Sequence, residues 1–96
     1  MKIRLHPQAR AELLNSMNYY EAARPGLGDR FLSAVAKVVD NARMFPTSFP
    51  IFDDDCRKAG LRRFPCSVVY RIRDGEMQVV SVLHSRRDPE SIRNRW

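Results

Sequence analysis

The sequence is poor in the features that mark a secreted, membrane-spanning or metal-binding protein. It has only two cysteines, Cys56 and Cys66, and these form no recognised zinc-ligand spacing with the distant His6 and His84. No apolar run approaches the roughly 20 residues that cross a bilayer. The N-terminal residues MKIRLHPQARAEL also lack the apolar segment of a signal peptide. We therefore expect a cytoplasmic protein with reduced thiols, no metal, no cofactor and no membrane partner.

Acidic residues are also scarce, because 11 Asp and Glu accompany 17 Lys and Arg. The net charge of +6 and the pI near 10.0 favour an anionic partner, although a merely soluble basic domain has the same balance. The acidic run at 53–55 has no loop glycine or distant carboxylate to complete a calcium site, so we expect a solvated loop. A chain of 96 residues suits one domain, 1–96, with a single core.

A β-hairpin between Leu61 and Arg87 organises the sequence. Asp74-Gly75 supplies the positive backbone angles of a tight turn, and alternating, β-branched residues flank it. This turn pairs Arg73 with Glu76 and, by continuation, Val68 with Ser81. The expected apolar face carries Val68, Tyr70, Ile72, Met77, Val79 and Leu83. The expected opposite face carries Arg71, Arg73, Glu76, Gln78, His84, Val69, Val80 and Val82.

The first half of the chain predicts a strand and two helices. Alternation over residues 2–5 predicts a strand with Ile3 and Leu5 facing the core. A helix is expected from Pro7 to about Ala22, followed by a proline–glycine turn at 24–28. From Asp29 an apolar stripe predicts a second helix, which Pro46 stops. Its members are Phe31, Leu32, Val35, Val38, Val39, Ala42 and Phe45.

The second half predicts an irregular loop and a meander. Residues 45–52 should be irregular, with Phe45, Phe49 and Phe52 covering the core. A strand should run from Cys56 to Phe64 and turn a corner at Pro65 into the hairpin. Asp88 should cap a short helical turn that begins at Pro89. The expected fold is a two-layer α+β domain of order β-α-α-β-β-β, with an N-terminal strand, a helical hairpin and a three-stranded antiparallel meander.

This order, with particular short motifs, resembles the RelE/ParE superfamily of toxins from type II toxin–antitoxin systems, and its ParE-like branch more closely. The resemblance spans essentially the whole chain. The residues that carry it are Tyr19-Tyr20-Glu21, Pro25-Gly26-Leu27-Gly28, Phe31, Leu32, Phe64-Pro65, Tyr70, His84 and Arg86-Arg87. It implies a cognate antitoxin that wraps a disordered, amphipathic segment around the toxin, in a toxin–antitoxin hetero-oligomer. It also implies one of two targets: ParE-like members inhibit DNA gyrase, whereas RelE-like members cut messenger RNA on the ribosome.

The residues themselves offer cations and one titratable group for either activity. Metal-free RNA cleavage needs acid–base groups and cations around the phosphate. If the chain is a nuclease, the catalytic candidates are His84, Arg63 and Arg86; otherwise His84 anchors a turn by hydrogen bonds. Trp96 either stacks on a base or docks on its own domain.

RelE-like enzymes use a tyrosine at the C-terminus, whereas this sequence has Arg95-Trp96 at the equivalent end. We therefore expect a toxin that binds its target without catalysis. The alternative is a metal-independent, ribosome-dependent endoribonuclease using the same basic face. The sequence does not distinguish gyrase from the ribosome as target. The expected target-binding residues are Arg57, Lys58, Arg62, Arg63, Arg71, His84, Arg86, Arg87 and Trp96.

Overall fold

A five-stranded sheet carries a helical hairpin on one face in the computed structural model, which describes residues 1–96. The elements in chain order are β1 (Lys2–Leu5), α1 (Pro7–Ala23), α2 (Leu27–Met44), β2 (Ile51–Asp53), β3 (Cys56–Gly60), β4 (Cys66–Arg73), β5 (Glu76–His84) and a 3₁₀ turn (Pro89–Ile92). The strand order is β1-β5-β4-β3-β2, with β1 parallel to β5 and the other pairs antiparallel. The predicted α+β class and element order are confirmed. No helix is long and apolar enough to span a membrane.

The central hairpin turns at Asp74 and Gly75, whose φ angles are 53° and 74°. The predicted pairs from Arg73–Glu76 to Tyr70–Val79 are confirmed. Beyond them the predicted register is wrong, because Val69 pairs with Ser81 and Val68 with Val82. Val80 is an extra residue in β5, and such a bulge shifts the following alternation by one position.

The bulge exchanges two side chains between the faces of the sheet. Val82, expected on the open face, packs into the core beneath the helices, whereas Leu83 packs on the opposite face. The larger core cluster lies between the helices and the sheet. Its buried members are Ala9, Phe31, Val35, Ala42, Ala59, Cys66, Val68, Tyr70, Met77, Val79 and Val82.

The turn between the helices requires glycine at two positions, Gly26 and Gly28. Gly26 has φ 88°, a left-handed conformation that favours glycine, and α2 begins at Leu27 instead of Asp29. A Cβ at Gly28 would lie 2.8 Å from the Met17 carbonyl oxygen, so the two helices approach too closely there for a side chain. The Glu21 carboxylate accepts hydrogen bonds of 3.1 Å from the N–H groups of Gly26 and Gly28.

Other differences from the sequence predictions lie at the sheet edges. A short strand, β2, forms within the predicted loop, where Lys58 N–H donates to the Pro50 carbonyl at 3.1 Å. Strand β3 ends at Gly60 and not at Phe64. Ile3 and Leu5 pair with Met77 and Val79, so they lie on the core side of the sheet as predicted, but they remain 37% and 38% exposed because β1 is an edge strand.

The three loop aromatics behave differently from one another. Phe49 packs edge-on against Tyr70, with 6.3 Å between ring centroids, and Phe52 packs on the opposite face of the sheet. Phe45 does not cover the core, because it is 58% exposed. The aromatic loop therefore contributes one ring to each face and leaves one in solvent.

The chain after β5 folds back over the second face of the sheet. Asp88 caps the 3₁₀ turn as predicted, since its carboxylate accepts from Glu90 N–H at 2.9 Å. Ile92 then completes a small cluster with Val69, Val80 and Leu83. The residues on this face are thus shielded by the chain's own C-terminal segment.

Candidate target-binding surface

Two loops bring part of the predicted basic set to one end of the sheet. The β3–β4 loop holds Arg62 and Arg63, and Ser85 N–H donates to the Pro65 carbonyl at 2.8 Å, which ties this loop to the end of β5. His84 pairs with Cys66 in the last register position of β5. We call the four exposed side chains of Arg62, Arg63, His84 and Arg86 the basic end.

The basic end is free of nearby acid in its own loops. Residues 61–65 and 84–87 contain four arginines and no Asp or Glu. The acidic turns lie at the opposite end of the sheet, where the β2–β3 turn carries Asp53–Asp55 and the β4–β5 turn carries Asp74. This separation of charge directs a positive field outward from the basic end.

His84 closes the turn that follows β5. Its Nδ1 accepts a hydrogen bond of 3.1 Å from Arg86 N–H, so the neutral ring carries its proton on Nε2. The predicted turn-anchoring contact is therefore present. Nε2 forms no hydrogen bond within the chain and is the ring nitrogen left for a partner.

A groove of about 520 Å³ adjoins the basic end on the side of α1. It is lined by Asn15, Ser16, Tyr19, Tyr20, Pro65 and His84. Tyr19 is 70% exposed at its edge, whereas Tyr20 packs inward against the rings of Phe31 and Phe64. The groove offers hydroxyl, amide and imidazole groups beside the exposed arginines.

Arg87 belongs to an ionic cluster around the Glu12 carboxylate, although its own side chain is 47% exposed. The Glu12 carboxylate accepts from Arg87, from Ser81 Oγ at 2.8 Å and from Val82 N–H at 3.2 Å. Arg95 adds two hydrogen bonds of 3.0 Å to the same carboxylate. We call Glu12, Ser81, Arg87 and Arg95 the Glu12 network.

The Glu12 network forms hydrogen bonds with backbone groups of β5 beyond the last residue that pairs with β1. Arg95 Nη1 also donates to the Val80 carbonyl at 3.0 Å. Burial raises the pKa of Glu12, but the hydrogen bonds from Arg95 and Ser81 outweigh it and hold the pKa below its usual value. The network therefore keeps Glu12 ionised and fastens the C-terminal segment to α1.

Besides Arg87, four predicted target-binding residues lie away from the basic end. Arg57 donates to the carbonyls of Thr47 and Phe49 at 3.1 Å and 2.7 Å, which holds the α2–β2 loop. Lys58 lies 5.0 Å above the Phe52 ring. Arg71 and Trp96 contact each other on the second face, with the guanidinium carbon 5.9 Å from the indole centroid. The predicted cations therefore do not share one basic face.

Trp96 docks on its own domain. Its ring lies 4.8 Å from the His6 ring in an edge-on arrangement, and its carbonyl accepts from Arg71 Nη2 at 3.1 Å. The indole is still 41% exposed. These contacts assign it a structural position between β4 and the start of α1.

The acidic turn is bridged by arginines instead of being fully solvated. Arg73 Nε donates to Asp55 at 2.8 Å, and Arg93 Nε donates to Asp53 at 3.3 Å. The bond from Arg73 lowers the pKa of Asp55.

No group of three or more His, Cys, Asp or Glu side chains is placed to hold a metal ion. Both thiols are free, and burial raises the pKa of Cys56 and of Cys66.

The sequence predictions missed Glu12 and Arg95. One signal was present, because Glu12 lies three residues after Ala9 and therefore on the same side of the predicted helix, where an unpaired carboxylate next to apolar residues is costly. Arg95 gave no such signal, since it lies in a short basic tail without periodicity.

The family model described as "ParE toxin of type II toxin-antitoxin system, parDE" matches residues 3–89. The chain belongs to this ParE toxin family.

Individual relatives agree with this assignment. Toxin ParE2 of Mycobacterium tuberculosis, in strains CDC 1551 / Oshkosh and H37Rv, is 28% identical over 95 residues, which cover 95% of this chain and 88% of the relative. A chain of the solved structure "Chromosomal ParDE TA system from P. aeruginosa" superposes with a TM-score of 0.65. It is 20% identical and the match covers 88% of this chain and 95% of that one, which supports the fold.

Proposed function

We propose that this ParE-family toxin arrests growth by binding a macromolecular target, DNA gyrase, without catalysing a reaction on it. The observation that carries the proposal is the basic end, where the side chains of Arg62, Arg63 and Arg86 are exposed and form no hydrogen bond or ion pair within the chain. The other predicted cations make internal contacts. Among the predicted target-binding residues, the arginines of the basic end are therefore the ones that have donors to spare for an anionic partner.

The chemistry at the basic end supports binding better than RNA cleavage. A metal-free nuclease needs one group to accept the 2′-hydroxyl proton and another to protonate the leaving oxygen. His84 is the only histidine there, and its Nδ1 is occupied by Arg86 N–H. Within the basic end, His84 Nε2 supplies one proton site and the arginines supply charge stabilisation, so a second acid–base group would have to come from outside it, such as a tyrosine hydroxyl of the adjoining groove.

We further propose that the cognate antitoxin covers the basic end with an acidic, amphipathic segment that folds on binding. The adjoining groove supplies apolar and aromatic contacts at Tyr19 and Pro65, and the arginines supply charge. Such an antitoxin neutralises the toxin by occupying the donors that the target needs.

The direct test is inhibition of purified gyrase. Arg86→Gln should weaken inhibition of DNA supercoiling about tenfold, the typical effect of losing a hydrogen bond to a charged group. Arg43→Gln removes the same charge from the exposed last turn of α2 and should change nothing. If folded wild-type toxin at saturating concentration leaves gyrase active, the proposal is wrong.

A further inference from the structure

The β3–β4 loop that carries half of the basic end is closed by backbone hydrogen bonds. Leu61 N–H donates to the Cys66 carbonyl at 2.9 Å, and Cys66 N–H donates to the Phe64 carbonyl at 2.8 Å. Within this loop Arg63 has φ 69°, a left-handed conformation that residues other than glycine rarely adopt. The loop therefore presents Arg62 and Arg63 on a backbone that is already ordered, so binding through them orders little further backbone.

The positive charge of the basic end is not offset within its own loops. Residues 61–65 and 84–87 contain four arginines and no Asp or Glu. On α2, by contrast, Lys37 and Arg43 each lie three residues from Asp40, a spacing at which helical side chains are neighbours. The basic end thus presents cations without the acidic neighbours that accompany these two cations of α2.

The groove beside the basic end continues the same chemistry. Its polar lining includes the Asn15 amide, the Ser16 and Tyr19 hydroxyls and the His84 imidazole, and no carboxylate lines it. Each of these groups donates hydrogen bonds, and His84 Nε2 has no partner within the chain. Arginine together with amide and hydroxyl side chains is the usual donor set for phosphate oxygens of a nucleic-acid backbone.

A donor surface without acid fits a partner that is anionic throughout. Folded protein surfaces carry charges of both signs interspersed, so such a partner would bring its own cations against the arginines. The backbone of duplex DNA carries only negative charge, about one per 1.7 Å of helix axis.

We propose that the basic end binds the sugar–phosphate backbone of duplex DNA, an inference that rests on the proposed function for its setting, since gyrase acts on such DNA. The arginines contact successive phosphates, and the groove side chains donate to phosphate oxygens beside them. Contacts to the backbone alone carry no sequence information, so the binding is independent of sequence.

Fluorescence anisotropy of a labelled 20-base-pair duplex tests the proposal on the purified full chain. Three arginines that neutralise three phosphates should make the logarithm of the binding constant fall with the logarithm of salt concentration, with a slope of about −2.7. A duplex of unrelated sequence should bind equally well. Absence of saturable binding in 50 mM salt, or a strong preference for one sequence, overturns the proposal.

A matched pair of variants locates the binding. Arg86→Gln should weaken binding to both duplexes and reduce the magnitude of the salt slope by about one, as loss of a phosphate contact does. Arg43→Gln gives the same net charge and should leave the slope unchanged. Equal effects of the two variants mean that net charge alone drives binding, and they overturn the assignment to the basic end.

Competition distinguishes the sources of negative charge. Unlabelled duplex DNA should displace the labelled duplex at a lower concentration of charged groups than polyglutamate or single-stranded RNA. Polyglutamate that competes equally well overturns the phosphate assignment in favour of an acidic protein segment. RNA that competes equally well overturns the assignment to DNA.

The same preparations are assayed for inhibition of gyrase supercoiling, so that DNA binding and the proposed function are judged separately. Gyrase inhibition by a wild-type chain that does not bind the duplex contradicts DNA binding and leaves the proposed function standing. Duplex binding that is weakened by Arg86→Gln while gyrase remains active contradicts the proposed function and supports the DNA-binding surface.

Discussion

Glu12 in α1 and Arg95 in the C-terminal segment are joined by two parallel hydrogen bonds of 3.0 Å, across 83 positions of sequence. Their side chains are 10% and 7% exposed. The pair fixes three parts of the molecule together, because Glu12 also accepts from Val82 N–H in β5. It holds the C-terminal segment in place together with the packing of Ile92 and the contacts of Trp96.

Removing the charge at Glu12 should destabilise the fold. Glu12→Gln leaves the buried Arg95 guanidinium without its counter-ion, and breaking such a pair costs about 3 kcal/mol. Chemical denaturation at pH 7 measures the change in the free energy of unfolding. The control is Glu90→Gln, which removes an ion pair whose carboxylate side chain is 63% exposed and should cost less than about 1 kcal/mol. Equal effects of the two variants would contradict a buried role for Glu12.

Stability should also depend on pH through this carboxylate. The folded-state pKa of Glu12 lies below its ordinary value of 4.5, so its stabilising contribution is fully present above about pH 4.5 and is lost as pH falls through the folded pKa. The wild type should therefore lose stability on acidification more steeply than Glu12→Gln. Denaturation curves at pH 7, 5 and 3 should show the gap between the two proteins narrowing. A gap that is constant or widens toward pH 3 would be inconsistent with a lowered pKa.

The side chain of Tyr70 is fully buried and its hydroxyl donates to the Pro46 carbonyl at 2.8 Å. Tyr70→Ala should cost about 3 kcal/mol or more, as large-to-small core substitutions do. Tyr70→Phe keeps the ring and should cost about 1 kcal/mol, the net value of the hydrogen bond. Thermal or chemical denaturation measures both. The matched control is Tyr19→Ala, since Tyr19 is 70% exposed and its loss should have little effect.

Local signals in the sequence predicted most helices and strands, but they did not predict how distant strands pair. Asp74-Gly75 predicted the hairpin because a tight turn needs only adjacent residues of the right conformation. The bulge at Val80 depends on which valines pack under the helices, and alternation alone put Val82 on the same face as Val80 and opposite Val79. Strand β2 was missed because it is only three residues long and is stabilised by its pairing with β3.

The candidate site shows the same difference between local and long-range information. The sequence predicted nine target-binding residues on one basic face, and the meander places Arg62, Arg63, His84 and Arg86 of that set together at one end. The positions of Arg57, Arg71 and Arg87 depend on acceptors that lie far along the chain, such as Glu12 for Arg87. Charge alone cannot distinguish a cation that is free from one that is already paired.

Association with the antitoxin should be sensitive to salt. Positive side chains at the basic end should speed encounter with an acidic segment, while apolar contacts hold the complex. Stopped-flow measurements should show the association rate falling steeply from 50 to 500 mM salt, with a smaller change in the dissociation rate. The salt dependence should be shallower for Arg86→Gln than for Arg43→Gln. An association rate that does not change with salt would argue against charge steering.

The central claim is that the toxin binds its target instead of cleaving RNA, and His84→Gln tests it most directly. The glutamine keeps hydrogen-bonding capacity at the turn but cannot transfer a proton at neutral pH. Wild type and variant are expressed inducibly after folding and antitoxin binding have been verified, and mRNA integrity and gyrase-dependent DNA damage are followed in the same cells. We predict that the variant still arrests growth and still produces DNA damage, with intact mRNA in both strains. Cleaved mRNA in the wild type, reduced about 100-fold or more by His84→Gln, would contradict the account, because that is the size of a general acid–base contribution.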